Sequence, residues 1–220
     1  MRLHGLTLVI LLAGCAESPV VGAAEAVSED TPSASTREAS SQTNTVTQDV
    51  PERHARIIDL LEAGDRAAQA RDAAGLFEAS DALTQLGASP IGGADDLARL
   101  WEIDALDLTP EGSRESIPFR GRVKGPAYRR QTLAPGERDV IEDIFYAAEP
   151  AEMTLKSSQG AALRWEIAED GPEADAPVCA VEPVGAEPRN CRFLPLWTAK
   201  YRIVISNVSD QDSTYLFVTN

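Results

Sequence analysis

Apolar positions change their spacing twice along this chain of 220 residues. Residues 6–12 form a short apolar core that contains only Thr7 as a polar residue. Residues 16 to about 50 then contain no aromatic residue and are dominated by Ala, Ser, Thr, Glu and Val. Such a stretch cannot bury enough apolar surface to offset its chain entropy, so a disordered tether is expected there. From Pro51 a helical period sets in. Ile57, Leu60, Leu61, Ala67 and Ala68 share one face, with Pro51 suited to a helix start. Leu76, Ser80, Leu83 and Leu86 line a second helix that Gly87 would stop. Asp95 or Asp96 can cap a third, with Leu97, Leu100 and Trp101 as its apolar face. A small helical hairpin with one further helix is predicted for residues 51–110.

Past Pro110-Glu111-Gly112 the period becomes two. Leu163, Trp165 and Ile167 alternate with Arg164 and Glu166, and Tyr201, Ile203 and Ile205 follow the same rule. Tyr215 with Phe217, Met153 with Leu155, and residues 141–146 mark further strands. Turn chemistry separates them at 134–136, 158–160 and 207–213. Short strands with regular turns over about a hundred residues predict an antiparallel, jelly-roll-like β-sandwich across residues 115–220. The fold class is therefore α+β.

Two stretches resemble known families. The first fifteen residues, MRLHGLTLVILLAGC, have a basic start, an apolar centre and Leu12-Ala13-Gly14-Cys15 at the end. This is similar to the lipobox of bacterial lipoproteins. The resemblance implies a signal peptide at residues 1–14 and a mature chain that begins at an acylated Cys15, with residues 15–50 as lipidated linker. It further implies a membrane partner through that lipid and a place in the cell envelope. Ala16 at the next position points to the outer membrane of a Gram-negative bacterium, facing the periplasm or the surface. Two or three acyl chains make such attachment effectively permanent, whereas one chain alone binds marginally.

The second resemblance covers roughly residues 125–220. Leu133-Ala134-Pro135-Gly136, the aromatic pair Phe145-Tyr146, the run LWTAKYRIVISN at 196–207 and STYLFV at 213–218 resemble the bacterial pre-peptidase C-terminal domain. Members are β-sandwich accessory modules appended to secreted enzymes, which implies a binding role. The family's acidic Asp-x-Asp pattern is replaced here by Trp165-Glu166-Ile167, so no calcium site is carried over.

Three cysteines and two histidines bound the available chemistry. With Cys15 set aside, Cys179 and Cys191 form an even pair in an exported chain, which reads as a disulfide closing a loop worth about 3 kcal/mol. The competing reading, a two-cysteine metal site, lacks nearby histidines. His54 is the one histidine beyond the leader and falls at the exposed-looking start of the first helix. No nucleophile-elbow serine, phosphate-binding loop or dinucleotide fingerprint is present. Glu142-Asp143, Glu169-Asp170 and Asp95-Asp96 read as solvated loops or caps rather than acid–base pairs. Trp101, Trp165 and Trp197 each sit in an apolar pattern and read as core anchors. No catalytic residue, metal or cofactor is expected.

The chain carries a net charge of −15, which sets it against nucleic acid as a partner. One segment inverts that sign. Arg114, Arg120, Arg122, Lys124, Arg129 and Arg130 accompany a single acid, Glu115. Extended backbone at 119–124 would place Arg120, Arg122 and Lys124 on one face. Together with Arg129 and Arg130 they are a candidate surface for an anionic ligand: a phosphorylated lipid headgroup, an acidic glycan or a protein partner. The internal alternative is that this segment pairs with the acidic helices. The expected function is that of a non-enzymatic, lipid-anchored envelope protein, a binding or accessory module for a protein partner or an envelope polymer. The other class left open is a hydrolase, or hydrolase subunit, acting on envelope glycan or peptide.

Overall fold

The computed structural model describes residues 49–109, 125–171 and 176–220. The leader, Cys15, nearly all of the linker and the extended segment expected at 119–124 lie outside the described residues. Three helices come first: α1 (Asp49–Ala70), α2 (Ala73–Gln85) and α3 (Leu97–Leu108). Asp72 caps α2 by accepting from the Ala74 amide, and Gly87, at φ +67°, takes the left-handed turn that ends it. Asp96, not Asp95, caps α3 by accepting from the Arg99 amide at 3.2 Å.

A two-residue strand, β1 (Ser89–Pro90), lies between α2 and α3. The others are β2 (Ala127–Leu133), β3 (Arg138–Phe145), β4 (Ala151–Ser157), β5 (Leu163–Glu169), β6 (Cys179–Val184), β7 (Arg189–Phe193), β8 (Ala199–Asn207) and β9 (Ser213–Thr219). They form a five-stranded sheet, β1-β2-β9-β4-β7, and a four-stranded sheet, β3-β8-β5-β6. Numbered from β2 as first strand, the two orders are 1-8-3-6 and 2-7-4-5, with every pair antiparallel. This is a jelly roll, to whose edge β1 adds a short parallel pairing.

Between the sheets lies one core, which includes Leu163, Trp165, Ile167, Ile203, Ile205, Tyr215 and Phe217. Trp165 meets Phe217 edge-on at 6.2 Å between ring centres. Cys179 and Cys191 are joined in a disulfide with their Cα atoms 6.3 Å apart. It staples β6 of one sheet to β7 of the other.

A second core lies outside the five-stranded sheet, where all three helices pack. Ile57, Ile58, Leu61, Leu76, Leu83 and Trp101 meet Tyr128, Leu216 and Val218, the outward residues of β2 and β9. Polar contacts ring this apolar interface. Arg130 pairs with Asp65 at 2.7 Å, Lys156 pairs with Glu62, and the Tyr128 hydroxyl accepts the Leu97 amide at 3.1 Å. Burial pushes the Tyr128 hydroxyl up to about 12, so it stays protonated.

Two expectations about packing need correction. Leu100 is 44% exposed; the buried stripe of α3 is Leu97, Ala98, Trp101 and Ala105. The alanines let α3 lie close to its neighbours, and that rotation turns Leu100 to solvent. Trp197 is not a core anchor either. It is 57% exposed, on the loop between β7 and β8, whereas Trp101 and Trp165 are buried.

Trp101 also explains Gly64. A Cβ on Gly64 would lie 2.3 Å from the Trp101 ring, which is itself locked in the helical core. Gly64→Ala should therefore destabilise the protein by about 1–3 kcal/mol through overpacking, although helix propensity alone favours alanine by about 1 kcal/mol. Denaturant midpoints of the two proteins check this. A higher midpoint for the alanine form would contradict the close contact.

Candidate functional site

His54 is neither exposed nor placed like a catalytic base. It is 1% exposed, on the face of α1 turned towards β4. The Thr154 hydroxyl donates to Asn190 Oδ1 at 2.8 Å, and Oδ1 can only accept. His54 Nδ1, 3.1 Å from Thr154 Oγ1, must therefore carry the proton and donate it. Nε2 is left as a buried acceptor with no partner among the described residues. Burial first, then the charge of Arg53, lowers its pKa to about 4.

Of the basic segment, Arg120, Arg122 and Lys124 lie outside the described residues, as does Cys15. Arg129 and Arg130 point to opposite faces of β2. Arg130 meets Asp65 of α1. Arg129 turns inward and donates from Nε and Nη2 to the two carboxylate oxygens of Asp139, at 2.7 and 3.1 Å. The Tyr215 hydroxyl donates to the same carboxylate, and Arg129 Nη1 donates to the Gly92 carbonyl at 3.0 Å. This network closes one end of the sandwich and ties the loop after β1 to it. Burial and the Asp139 carboxylate push the Tyr215 hydroxyl far up, so it remains a donor at any physiological pH. Sequence spacing gives no hint of the network, because its members come from three strands and a loop.

Of the acidic neighbours expected in loops or caps, Asp96 does cap α3, but Glu142 and Asp143 lie within β3 and Glu169 ends β5. Glu142 and Asp170 both face Lys200, at 2.6 and 3.7 Å, with the ammonium shared between them. Glu182 is held by Arg164 at 2.8 Å. Among the described residues no group of three His, Cys, Asp or Glu side chains could hold a metal ion.

The accessible chemistry lies on the four-stranded sheet. Its outer face carries Arg138, Val140, Glu142 and Ile144 from β3, then Lys200, Arg202, Val204 and Ser206 from β8, then Arg164 and Glu166 from β5. At one end Arg138, Ser206 and Arg164 are cross-strand neighbours in a single row. With Glu166 and the turn at 207–209 they line an open groove of about 460 Å³. Arg164 also holds Glu182, so a carboxylate or phosphate in the groove would meet Arg138 and Ser206 directly and share Arg164 with that acid.

The opposite end is apolar. Ten large apolar side chains are exposed among the described residues, and five of them, Ile144, Tyr146, Leu194, Leu196 and Trp197, gather here. Two loops are bound together at this point. The Ala148 amide donates to the Pro195 carbonyl at 3.0 Å, and the Ala147 amide donates to Thr198 Oγ1 at 3.1 Å. Beneath them Phe145, Phe193 and Tyr201 form an aromatic floor, with ring centres 5.0–5.7 Å apart. Trp197 Nε1 donates to Glu169 at 2.7 Å, which fixes the exposed indole in orientation. The sequence signal was present at 194–197, but an apolar run next to a strand reads as core until the turn is seen.

No protein-family model and no curated protein matches the chain. Solved structures similar to part of it include the pre-peptidase C-terminal domain of a collagenase from Bacillus anthracis, at 17% identity and a TM-score of 0.35, covering 41% of this chain and 86% of that one. PliG of Aeromonas hydrophila, a periplasmic inhibitor of g-type lysozyme, is similar at 12% identity and a TM-score of 0.34, covering 43% and 84%. A CBM4 structure is similar at 14% identity and a TM-score of 0.30, covering 41% and 78%.

The titration of His54 generates a test. Its folded pKa, about 4, lies below the ordinary value of 6.5, so between these values the unfolded chain binds the extra proton. Stability is complete above pH 6.5 and falls as the pH drops towards 4, by about 3 kcal/mol from this group. Unfolding free energies at pH 7.5 and pH 4 should therefore converge in His54→Gln relative to the unsubstituted protein. An identical loss in both proteins would place the titration elsewhere.

Proposed function

We propose that this chain is a lipid-anchored, non-catalytic protein of the cell envelope that works as a binding module for a protein partner or an envelope polymer. The proposal places it at the outer membrane, acylated on Cys15, and assigns recognition to the outer face of the four-stranded sheet. Support for the anchor comes from the Leu12-Ala13-Gly14-Cys15 motif behind its apolar run. The observation that carries the binding role is the asymmetry of the sandwich. One sheet is covered by helices, while the other presents Arg138, Ser206 and Arg164 in a row beside an open groove. Carboxylates or phosphates of a glycan, a headgroup or a protein loop are the chemistry these arginines meet. Three carboxylates of this face, Glu142, Asp170 and Glu182, are each engaged by a cation, which leaves Glu166 as the acid lining the groove and does not favour a paired-carboxylate hydrolytic reading.

A photo-crosslinking residue placed at 204 on the open face, or at 78 on the exposed side of α2, tests this in cells. A discrete adduct is expected from position 204, absent from 78 and lost when Arg138→Glu and Arg164→Glu are combined. The Cys15→Ser form should leave the membrane fraction. Equal adducts from both positions, or none from either, would contradict the assignment.

A further inference from the structure

The apolar end of the sandwich lies opposite the arginine groove. β3 runs from Arg138 at the groove to Phe145 at the other end, so about 24 Å separates the two. Nothing in the proposed recognition of a polar ligand uses Tyr146, Leu194, Leu196 or Trp197, yet their exposure leaves a large apolar area in water. We propose that this end is a membrane-docking tip that inserts into the headgroup–acyl boundary of a zwitterionic bilayer.

The residue types select that occupant. Leu196 is 82% exposed and stands clear of the surface, so the tip is a projection rather than a pocket. A sugar ring would use the indole face but gain nothing from Leu194, Leu196 and Ile144. Insertion into lipid uses all of them: leucines enter the acyl region, while Trp and Tyr sit at the interface with a polar edge outward. The polar edge of Trp197 is already held by Glu169, which keeps the ring plane fixed for entry. Charge decides the lipid class. Glu149 and Glu169 flank the tip, and the nearby Lys200 is committed to Glu142 and Asp170, so among the described residues the tip itself offers acids rather than an uncommitted cation to a lipid headgroup.

Geometry permits the contact. Roughly 33 residues separate Cys15 from the start of α1 at Asp49, and such a length spans at most about 110–120 Å. Either end of the sandwich can therefore reach the bilayer in which an acylated Cys15 would sit. The anchor would hold the tip at high local lipid concentration, so modest intrinsic affinity is enough. Docked this way, the groove faces away from the membrane. The physiological setting rests on the lipid anchor proposed above, but the tip chemistry does not.

Of the three tryptophans, Trp101 and Trp165 are 4% and 1% exposed, so Trp197 is the one that reports on solvent. The test uses the mature chain, residues 15–220, as the unlipidated Cys15→Ser form, with vesicles of phosphatidylcholine and phosphatidylethanolamine. A blue shift of Trp197 emission and its quenching by lipids brominated on the acyl chain are expected. Leu194→Glu with Leu196→Glu, both at exposed positions, should weaken vesicle partition at least tenfold without changing the thermal midpoint. Trp197→Phe should lose the spectral change but keep co-flotation with vesicles. No shift at millimolar lipid, or equal flotation of the glutamate variant, would overturn the proposal. So would a blue shift that needs only higher protein concentration, which would identify a second copy of the chain as the occupant, or one produced by soluble oligosaccharides. Failure here leaves the anchor untouched, since that is read from the membrane fractionation of the Cys15→Ser form.

Discussion

Everything in this fold depends on two strands that are buried on both faces. β4 and β9 lie at the centre of the five-stranded sheet and have almost no exposed position. Their inward residues, Met153, Leu155, Tyr215 and Phe217, fill the sandwich, while Leu216 and Val218 point the other way. A jelly roll alone would leave that second row in water. Each large apolar side chain so exposed forfeits about 1.5–3 kcal/mol of burial. The helices thus supply a third layer that covers this row. Their register on the sheet is fixed by polar contacts, Arg130 with Asp65, Lys156 with Glu62 and His54 with Thr154, that ring an otherwise featureless apolar interface.

That layering decides which chemistry faces outward. Because α1 to α3 occupy one sheet, the four-stranded sheet keeps its outer face for solvent, and its alternating Arg, Glu, Lys and Val residues form a mixed, wettable surface. The two ends of that sheet differ sharply. One is closed inside by Arg129, Asp139 and Tyr215 and carries the arginine row outside. The other is floored by aromatic rings and tipped with Leu196 and Trp197. The molecule thus presents two chemically different ends, a polar groove and an apolar tip.

Much of this architecture was legible in the residues themselves. Strands such as Leu163-Arg164-Trp165-Glu166-Ile167 have one wet face, so their alternation is clean, and the capping of α3 by an aspartate followed from its position. The Cys179–Cys191 pairing was legible from cysteine parity. β2, β6 and β7 were not. β2 spends Arg129 and Arg130 on ion pairs to either side, so its sequence looks basic and unstructured; β6 and β7 are short edge strands carrying Pro183 and Arg189. His54 looked exposed because only a neighbouring strand, a hundred positions away, buries it. The apolar tip was misread for the converse reason, since periodicity reports apolar spacing but not which side of a turn faces the core.

The most direct test of this account is to express residues 125–220 without the helices. The layered core predicts that this fragment will bind hydrophobic dyes, associate, and show no cooperative unfolding transition. A monomeric fragment that unfolds in one sharp transition would show that the sandwich is self-sufficient, and would contradict the dependence of β4 and β9 on the helical layer.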